Sequence, residues 1–451
     1  MTPPMRRLLI DITHTASQDY HTGIQRVVRS LARESLVYSA KRETQIECFP
    51  VVNLDGQFVH VDRWCAARGY RKSERDWSSY YQNMIPNMIS TSTRLKLNKL
   101  GTRIRKLLYP RTLDRIWRKT LRKIRPETPS VNPGPGDVIL MPDSWWDLPE
   151  IFDTIQDAQN SGAIVGAMVH DLIPIRYPEF FGQELRTKFT DWAERLVHSV
   201  DFFLGDAQAG EDDLWQFIQE QNAPLDRSHV GHVRLGCDIK PISRISYSRV
   251  PTNISNIFAQ RDKAPYLMVS TIEIRKNHHY LLDAFELLWK EGKDVSLALV
   301  GRVGWKCDDL IDRIANHPEI GKRLHLLNNV NDNALNYIYE RSKAFLFSSK
   351  AEGFGLPIVE AQHHGLHVFA SDIPIFREVA GSGSQFFSLE DPSQLQRQIS
   401  EFEDNRGWET EPNITVQNEP WKAVFPKLVD RVAVLAQNVQ DTRTENSSQA
   451  A

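Results

Sequence analysis

The second half of the chain alternates between two hydrophobic patterns. Apolar runs of strand length occupy residues 266–270, 295–300, 323–327, 344–348 and 367–370. The segments between them place apolar residues at helical spacing, as in 278–289, where Leu281, Phe285 and Leu288 share one face. This alternation predicts an α/β fold with a parallel, doubly wound sheet.

The first half carries the same patterns less regularly. A helix is predicted over 22–36, and strands are predicted over 1–12, 137–141, 163–169 and 202–204. Residues 37–130 are expected to be irregular. The stretch 238–263 is polar and contains Pro241 and Pro251, which favours a linker there.

Two domains are therefore expected, the first over 1–245 and the second over 262–420. The first would carry an insertion at about 92–128. Residues 421–440 have the pattern of a final amphipathic helix, and the polar residues 441–451 are predicted to be a disordered tail.

The segment from Glu352 to Glu360 has the pattern of a ligand-binding loop. It reads EGFGLPIVE after an apolar run, which predicts a strand, a glycine loop and a helix. Gly353 and Gly355 let the backbone approach a ligand closely, and Pro357 suits the first turn of a helix. Helix-start N–H groups attract a diphosphate, and the two carboxylates can accept hydrogen bonds from sugar hydroxyls. A nucleotide-sugar site is predicted, although two glutamates at this spacing also arise by chance.

A second motif places two adjacent cations after a strand. The run 266–270 leads into TIEIRKN, so Arg275 and Lys276 stand where a strand ends and a helix begins, with Asn277 as its expected N-cap. Ligands of open α/β sheets bind at that edge, and paired cations suit a diphosphate leaving group. A solvated pair of charges is the alternative interpretation.

These motifs together resemble retaining glycosyltransferases of the GT-B fold, specifically family 4. The resemblance is carried by residues 271–277, 300–305 and 352–360, and by 169–174 (VHDLIP), which is similar to a segment holding an active-site histidine. Residues 8–12 and 22–29 resemble members that build bacterial surface polysaccharides, often mannosyltransferases. The likeness covers most of 140–440. It departs from the family at Ile274, where proline is common, and at 205–209, where a serine region is common.

The resemblance implies two Rossmann-like domains facing a cleft, and it implies roles for particular residues. Arg275 and Lys276 would stabilise the departing diphosphate, and Glu352 would hold the donor sugar. His170 would contact the sugar near the reacting centre, and Glu360 would bind the ribose hydroxyls. Further donor contacts are expected from Gly23, Gly301, Gly304, Gly353, Phe354, Gly355 and Leu356. Taken alone, His170 could equally be a structural hydrogen-bonding residue, and Asp143 and Asp171 could meet the acceptor or form salt bridges.

One segment is strongly basic although the chain as a whole has a net charge of −2. Residues 94–125 contain thirteen Lys or Arg and one acid, with leucines and Trp117 at helical spacing. A basic amphipathic helix is typical of contact with an anionic membrane surface. Nucleic acid is disfavoured because the segment has few aromatics for base stacking. A solvated helical insertion is the remaining alternative.

Composition places the chain among reduced, globular proteins. The four cysteines are scattered without a CxxC pair, which favours thiols in a cytosolic protein over a disulfide framework. No apolar run approaches the roughly 20 residues of a spanning helix. The histidine pairs at 278–279 and 363–364 lack zinc-ligand spacing and are interpreted as helix-surface residues, so no metal or other cofactor is expected.

The predicted function is transfer of a hexose from a nucleotide sugar, with GDP-mannose the first choice, to a lipid-linked or saccharide acceptor in surface polysaccharide synthesis. The enzyme would work in the cytoplasm, on the inner face of the cytoplasmic membrane. A nucleotide-sugar epimerase of the same architecture and a non-catalytic nucleotide-sugar-binding relative are the alternatives. The lack of a GxSxG motif disfavours a hydrolase.

Overall fold

The structure is a computed structural model of the 451-residue chain. It describes residues 5–17, 23–41, 44–54, 56–61, 130–148, 150–237, 250–328, 330–416 and 418–449. The basic segment 94–125 and the insertion predicted at about 92–128 lie outside these residues, so membrane contact stays a prediction.

The described residues form two sheets. The strands of the first are β1 (Arg7–Asp11), β2 (Glu47–Leu54), β3 (Gln57–His60), β4 (Ser130–Val131), β5 (Asp137–Met141), β6 (Ile164–Val169), β7 (Phe202–Gly205) and β8 (Val230–His232). Those of the second are β9 (Tyr266–Val269), β10 (Leu297–Val300), β11 (Leu324–Leu327), β12 (Phe345–Phe347), β13 (Val368–Ser371) and β14 (Gln385–Phe387).

Helices alternate with these strands along most of the described chain. They are α1 (Thr13–Ser17), α2 (Gly23–Ser39), α3 (Ile151–Asn160), α4 (Ile173–Arg176), α5 (Gln183–Leu196), α6 (Gln208–Glu220), α7 (Thr252–Ile257), α8 (His278–Lys290), α9 (Asp308–Ala315), α10 (Asp332–Arg341), α11 (Leu356–His363), α12 (Pro374–Ala380), α13 (Pro392–Asp404) and α14 (Trp421–Gln449).

The first sheet has the strand order β4-β3-β2-β1-β5-β6-β7-β8. β1 pairs in parallel with β2 and β5, and its register places Arg7 opposite Asp137. The Arg7 guanidinium donates from Nε to Asp137 Oδ1 at 2.7 Å, which fixes that register with an ion pair. All five residues of β5 are buried, as expected for a strand covered on both faces.

The expectation that 37–130 is irregular is wrong for its described residues. β2 and β3 form an antiparallel hairpin whose register pairs Leu54 with Gln57. The two residues between them are Asp55 and Gly56, and Gly56 has φ +84°. Asp-Gly is a sequence that favours short hairpin turns, and glycine readily adopts the positive φ found at Gly56.

The second sheet has the order β11-β10-β9-β12-β13-β14, and its neighbouring strands pair in parallel. Numbered from its own first strand, this is the order 3-2-1-4-5-6 of a Rossmann sheet. The chain changes direction across the sheet between β9 and β12, which are neighbours. The predicted parallel, doubly wound sheet is confirmed, and the carboxyl ends of these two strands mark its ligand-binding position.

The chain divides into two compact units. The first comprises residues 1–168, 198–203 and 432–451, and the second comprises 169–197 and 204–431. The domain limits expected at 245 and 262 stay a prediction. The tail expected to be disordered over 441–451 is helical in its described residues, since α14 continues to Gln449.

Membrane-spanning helices are a separate matter from surface contact. Within the described ranges, no helix combines the length and the apolar character that crossing a bilayer requires.

Candidate functional site

The loops that follow β9 and β12 are joined by short polar contacts within the second unit. After β9 the chain makes a turn at Ile274–Lys276 before α8 begins. Ser348, just after β12, lies 3.0 Å from the carbonyl oxygens of both Lys276 and Asn277 and donates to them. The Lys350 amide donates to the Arg275 carbonyl at 2.9 Å. These contacts bring both sequence motifs to one edge of the sheet.

A buried ion-pair cluster lies at this edge. Arg275 Nη1 is 2.9 Å from Glu352 Oε2, and Lys276 Nζ is paired with Glu352 Oε1. Arg275 Nη2 is also 2.8 Å from Glu273 Oε1. The three side chains of Arg275, Lys276 and Glu352 are 16%, 10% and 9% exposed, which excludes the solvated charge pair considered as an alternative.

Each charged side chain in the cluster shifts the pKa values of its neighbours. Burial would raise the pKa of Glu352, but the charges of Arg275 and Lys276 outweigh it and lower that pKa to about 2. Burial lowers the pKa of Lys276, with the neighbouring Arg275 charge adding to the effect and Glu352 opposing it. The pKa of Glu273 is raised by burial against the opposing charge of Arg275. Two cations are thus held by acidic groups in a place where an anion could exchange with them.

His170 follows β6 and is fixed by a carboxylate that the sequence did not single out. His170 Nδ1 lies 2.9 Å from Asp206 Oδ2 and 3.1 Å from Asp206 Oδ1. Burial raises the pKa of Asp206, and the nearby His170 opposes that rise. A carboxylate at one ring nitrogen sets the orientation of an imidazole and the position of its proton. Asp206 sits in the 205–209 segment where the sequence departs from the family pattern.

Gly353 brings the glycine loop against the His170 segment. A Cβ atom at Gly353 would lie 2.4 Å from the His170 carbonyl oxygen and 3.2 Å from Asp171 Oδ2, so only glycine fits. Burial raises the pKa of Asp171, while the charge of Arg275 opposes the rise. Asp171 Oδ1 also accepts a hydrogen bond from the Ile173 amide at 3.1 Å, which ties it to the start of α4.

The rest of the glycine loop matches its predicted form. Gly355 has φ +99° and is the N-cap of α11, with Pro357 in the first turn. Phe354 is 4% exposed, and the Arg234 guanidinium lies 5.5 Å from the centre of its ring. The loop therefore leads into a helix start, the arrangement expected for anion binding. Leu356 is the first residue of that helix.

Glu360 lies outside the ion-pair cluster. It is 7% exposed on α11, and its Oε2 accepts a hydrogen bond from Tyr339 Oη at 2.9 Å. Its role toward ribose hydroxyls stays a prediction.

The other predicted donor-binding glycines have close main-chain neighbours or lie elsewhere. A Cβ at Gly301 would be 1.7 Å from the Ser270 carbonyl oxygen, and the Gly304 amide donates to the Ile272 carbonyl at 2.8 Å. These contacts pack the loop after β10 against the loop after β9. Gly23 begins α2 in the first unit. Donor contact by these glycines stays a prediction.

The structure also bears on three smaller expectations, of which the first two need correction. Asn277 is the N-cap of α8, but it has φ +54° and makes no side-chain capping bond. His278 is buried at 2% exposure rather than lying on the helix surface, and its Nε2 is 3.1 Å from Ser270 Oγ. Asp143 is buried in the first unit, accepts from the Thr15 amide at 2.6 Å and lies 3.7 Å from His14 Nδ1, and its contact with the acceptor stays a prediction.

Among the residues that the structure describes, no group of three His, Cys, Asp or Glu side chains is placed to bind a metal ion. The expectation that no metal or cofactor is needed stays a prediction.

Comparison with known proteins bears on this site directly. The sequence profile of the family described as "Glycosyl transferases group 1" matches residues 251–418, which include Arg275, Lys276, Glu352 and Glu360. Residues 251–418 form a group 1 glycosyltransferase domain. His170 and Asp206 lie before this domain in the sequence.

Curated relatives extend the similarity beyond the glycosyltransferase domain. The serotype-specific mannosyltransferase WbdA of Escherichia coli is 29% identical over 402 residues, covering 88% of this chain and 41% of WbdA. The O-antigen chain mannosyltransferase B of Escherichia coli is 29% identical over 240 residues, covering 53% of this chain and 61% of the relative. The chain thus spans about two fifths of the length of WbdA. These similarities confirm the resemblance inferred from the motifs.

A solved structure has a similar overall fold. Anabaena HepE, in complex with UDP and glucose, superposes with a TM-score of 0.54 at 16% identity, covering 97% of this chain and 100% of HepE. The GT-B fold, with two Rossmann-like domains, is therefore confirmed.

Proposed function

We propose that this protein is a retaining glycosyltransferase that moves mannose from GDP-mannose to a lipid-linked or saccharide acceptor in bacterial surface polysaccharide synthesis. The observation that carries the proposal is the buried cluster of Arg275, Lys276 and Glu352 at the direction change of the second sheet. WbdA and the O-antigen chain mannosyltransferase B are both mannosyltransferases, which supports mannose as the sugar.

The reaction breaks the bond between the anomeric carbon of mannose and the diphosphate oxygen. An acceptor hydroxyl oxygen forms the new bond to the same carbon on the same face, and its proton passes to the departing diphosphate. The products are the mannosylated acceptor and GDP. Positive charge grows at the sugar and negative charge grows on the diphosphate, so fixed cations beside the diphosphate lower the barrier.

Arg275 and Lys276 supply that charge. Because Glu352 pairs with both cations and Glu273 also pairs with Arg275 before a ligand arrives, donor binding exchanges Glu352 for the diphosphate and leaves neither cation without an anionic partner. Glu352 would turn to the sugar hydroxyls as the diphosphate takes the cations. The N–H groups at the start of α11 add partial positive charge to the same region.

His170 has the role of a sugar contact near the reacting carbon. Its ring is oriented by Asp206 at 2.9 Å, and its carbonyl touches the glycine loop at Gly353. A fixed imidazole beside the loop can hold one sugar hydroxyl without moving during the reaction. The chemistry requires no metal, because Arg275 and Lys276 take the place of a divalent ion at the diphosphate.

The protein is proposed to act in the cytoplasm at the inner face of the membrane, where a lipid-linked acceptor is presented. Residues 94–125 supply thirteen basic side chains that would bind anionic lipid. A vesicle-flotation assay with and without anionic lipid tests this part separately from turnover.

A single incubation separates the candidate functions. The protein is mixed with GDP-[14C]mannose and a bacterial membrane extract, in the presence of EDTA. Label in the lipid or polysaccharide fraction supports a metal-independent transferase, and NMR of the product linkage should show the α configuration of the donor. Isomerised sugar nucleotide would instead indicate an epimerase, and bound but unchanged donor would indicate a binding protein.

The donor base is tested by thermal-shift screening with GDP, UDP and dTDP, since a ligand that binds the folded state raises its stability. The largest shift is expected with GDP. The structure of HepE contains UDP, so UDP is a relevant competitor. A larger stabilisation by UDP than by GDP would mean that the donor is a UDP-sugar and not GDP-mannose.

A further inference from the structure

Tyr339 and Glu360 form a buried hydrogen-bonded pair next to the ion-pair motif in the sequence of the second unit. Tyr339 lies on α10, is 2% exposed, and donates from Oη to Glu360 Oε2 at 2.9 Å. Glu360 lies on α11, one turn beyond Leu356. The two residues come from helices on either side of β12, so the bond links the two elements that flank this strand.

The Tyr339 ring is held in place by stacking. His364 lies parallel to it, with 5.3 Å between ring centres and 5° between planes, and Phe345 lies 6.0 Å away on β12. Neither ring nitrogen of His364 has a hydrogen-bond partner among the described residues. Burial lowers the pKa of His364 to about 4, with a further contribution from His363, so His364 acts here as a neutral, flat surface.

This packing restricts where the Tyr339 hydroxyl can point. A stacked tyrosine keeps its ring plane, and its O–H remains directed at Glu360 Oε2. A carboxylate with one oxygen fixed in this way cannot rotate freely, so the direction of its remaining lone pairs is set before a ligand binds.

We propose that Tyr339 is a positioning residue that aims the Glu360 carboxylate at the ribose of the donor, and so sets the preference of the site for ribonucleotides over their deoxy forms. This inference rests on the proposed nucleotide-sugar binding. Tyr339 itself contacts Glu360 rather than the ligand, so its loss should affect recognition of the ribose hydroxyls more than the chemical step.

The test compares binding of GDP with binding of 2′,3′-dideoxy-GDP by calorimetry, using the full chain. Wild-type protein should bind GDP more tightly. Tyr339→Phe removes only the hydroxyl, and the ratio of the two dissociation constants should fall about tenfold, the effect of one hydrogen bond to a charged group. Steady-state assays of the same variant should show a raised KM for GDP-mannose with kcat changed less than KM.

Tyr266→Phe is a matched control. Tyr266 is fully buried in the same unit and donates to Glu403 Oε1 at 2.7 Å, so it also loses one tyrosine–glutamate hydrogen bond. It lies at the opposite end of β9 from the ion-pair cluster. The control should show reduced thermal stability with an unchanged preference between GDP and its dideoxy form.

The outcomes separate this inference from the proposed function. A folded Tyr339→Phe protein that keeps the wild-type preference overturns the positioning role while leaving the transferase proposal intact. An equal loss in Tyr266→Phe also overturns it, because the effect would then be general loosening of the fold. Wild-type protein that binds neither GDP nor UDP overturns both proposals together.

Discussion

A Cβ atom added to Gly353 would lie 2.4 Å from the carbonyl oxygen of His170, far inside the normal contact distance. The two residues are 183 positions apart in the sequence, yet their backbones touch. The His170 segment and the glycine loop therefore cannot shift toward each other, and a displacement of one segment would displace the other. Any side chain at Gly353 would force them apart.

Gly353→Ala should therefore damage both stability and activity. Overpacking of this kind costs about 1–3 kcal/mol, and separation of His170 from the glycine loop should lower kcat by about tenfold or more. Gly182→Ala is the control, because nothing lies within 4 Å of a Cβ there. Thermal unfolding and turnover measured on both proteins check this. Wild-type behaviour of Gly353→Ala would mean that the close contact is not maintained in solution.

Lys276→Met should abolish most turnover. Removing one fixed group that stabilises transition-state charge typically costs about 100-fold to 1,000-fold in kcat. Lys343→Met is a matched control, since Lys343 is another buried lysine, 3.0 Å from Glu403 Oε1 in the same unit. It should lose stability but keep activity per folded molecule. Equal loss of turnover in both variants would contradict a specific role for Lys276.

Glu352→Gln should separate nucleotide binding from catalysis. The substitution frees Arg275 and Lys276 from an anionic partner, so GDP should bind as tightly as in wild type or more tightly. Turnover should nevertheless fall by about 100-fold because the neutral amide holds the sugar hydroxyls less strongly. Calorimetry with GDP and steady-state kinetics give the two quantities. Weaker GDP binding by the variant would show that Glu352 does not compete with the diphosphate.

The same variant gives a pH test. The pKa of Glu352 is lowered to about 2 in the folded protein, compared with about 4.3 for an unfolded glutamate. A lowered pKa means that the folded state binds fewer protons, so the stabilisation is complete above about pH 5 and is lost as pH falls toward 2. The difference in unfolding free energy between wild type and Glu352→Gln should be constant from about pH 7 to 5 and should shrink at about pH 3.5. Urea unfolding at each pH measures it, and a difference that grows on acidification would reverse the assignment.

Asp206→Asn should lower kcat by about tenfold or more, because the amide no longer favours the same proton position on His170 Nδ1. Glu211→Gln is the control, since Glu211 Oε2 makes a comparable contact of 2.6 Å with His232 Nδ1 in the same unit. Kinetics across pH distinguish the two roles, because the acidic or basic limb of the profile should shift only for Asp206→Asn. If the pH–rate profiles of both variants matched, Asp206 would have only a structural role.

Local sequence signals identified the glycine loop well. Gly355 and Pro357 perform tasks decided by their immediate neighbours, a positive φ and a helix start, whereas Gly353 allows a close approach to His170, which is distant in the sequence. Arg275 and Lys276 were likewise readable, because they follow a strongly apolar strand. The hairpin at β2 and β3 also had a local signal, because the sequence Asp55-Gly56 stands between two apolar runs.

Hydrogen-bond partners that are far apart in the sequence could not be predicted from local sequence patterns. Asp206 lies 36 positions after His170, and Tyr339 lies 21 before Glu360. Each pair depends on which strands are neighbours and on how two helices face each other. No spacing rule encodes those relationships, so the carboxylate that orients His170 and the tyrosine that holds Glu360 emerge only from the folded chain.

The loop after β10 is held to the loop after β9 by main-chain bonds: the Ile272 amide donates to the Arg302 carbonyl and the Gly304 amide donates to the Ile272 carbonyl, both at 2.8 Å. The side chains of Arg302 and Val303 are exposed and take no part in this junction. They can therefore be exchanged while the backbone stays in place, and Arg275, Lys276 and Glu352 keep their positions. Substitutions at Arg302 and Val303 are therefore expected to change the surface at this edge of the sheet while the buried ion-pair cluster is preserved.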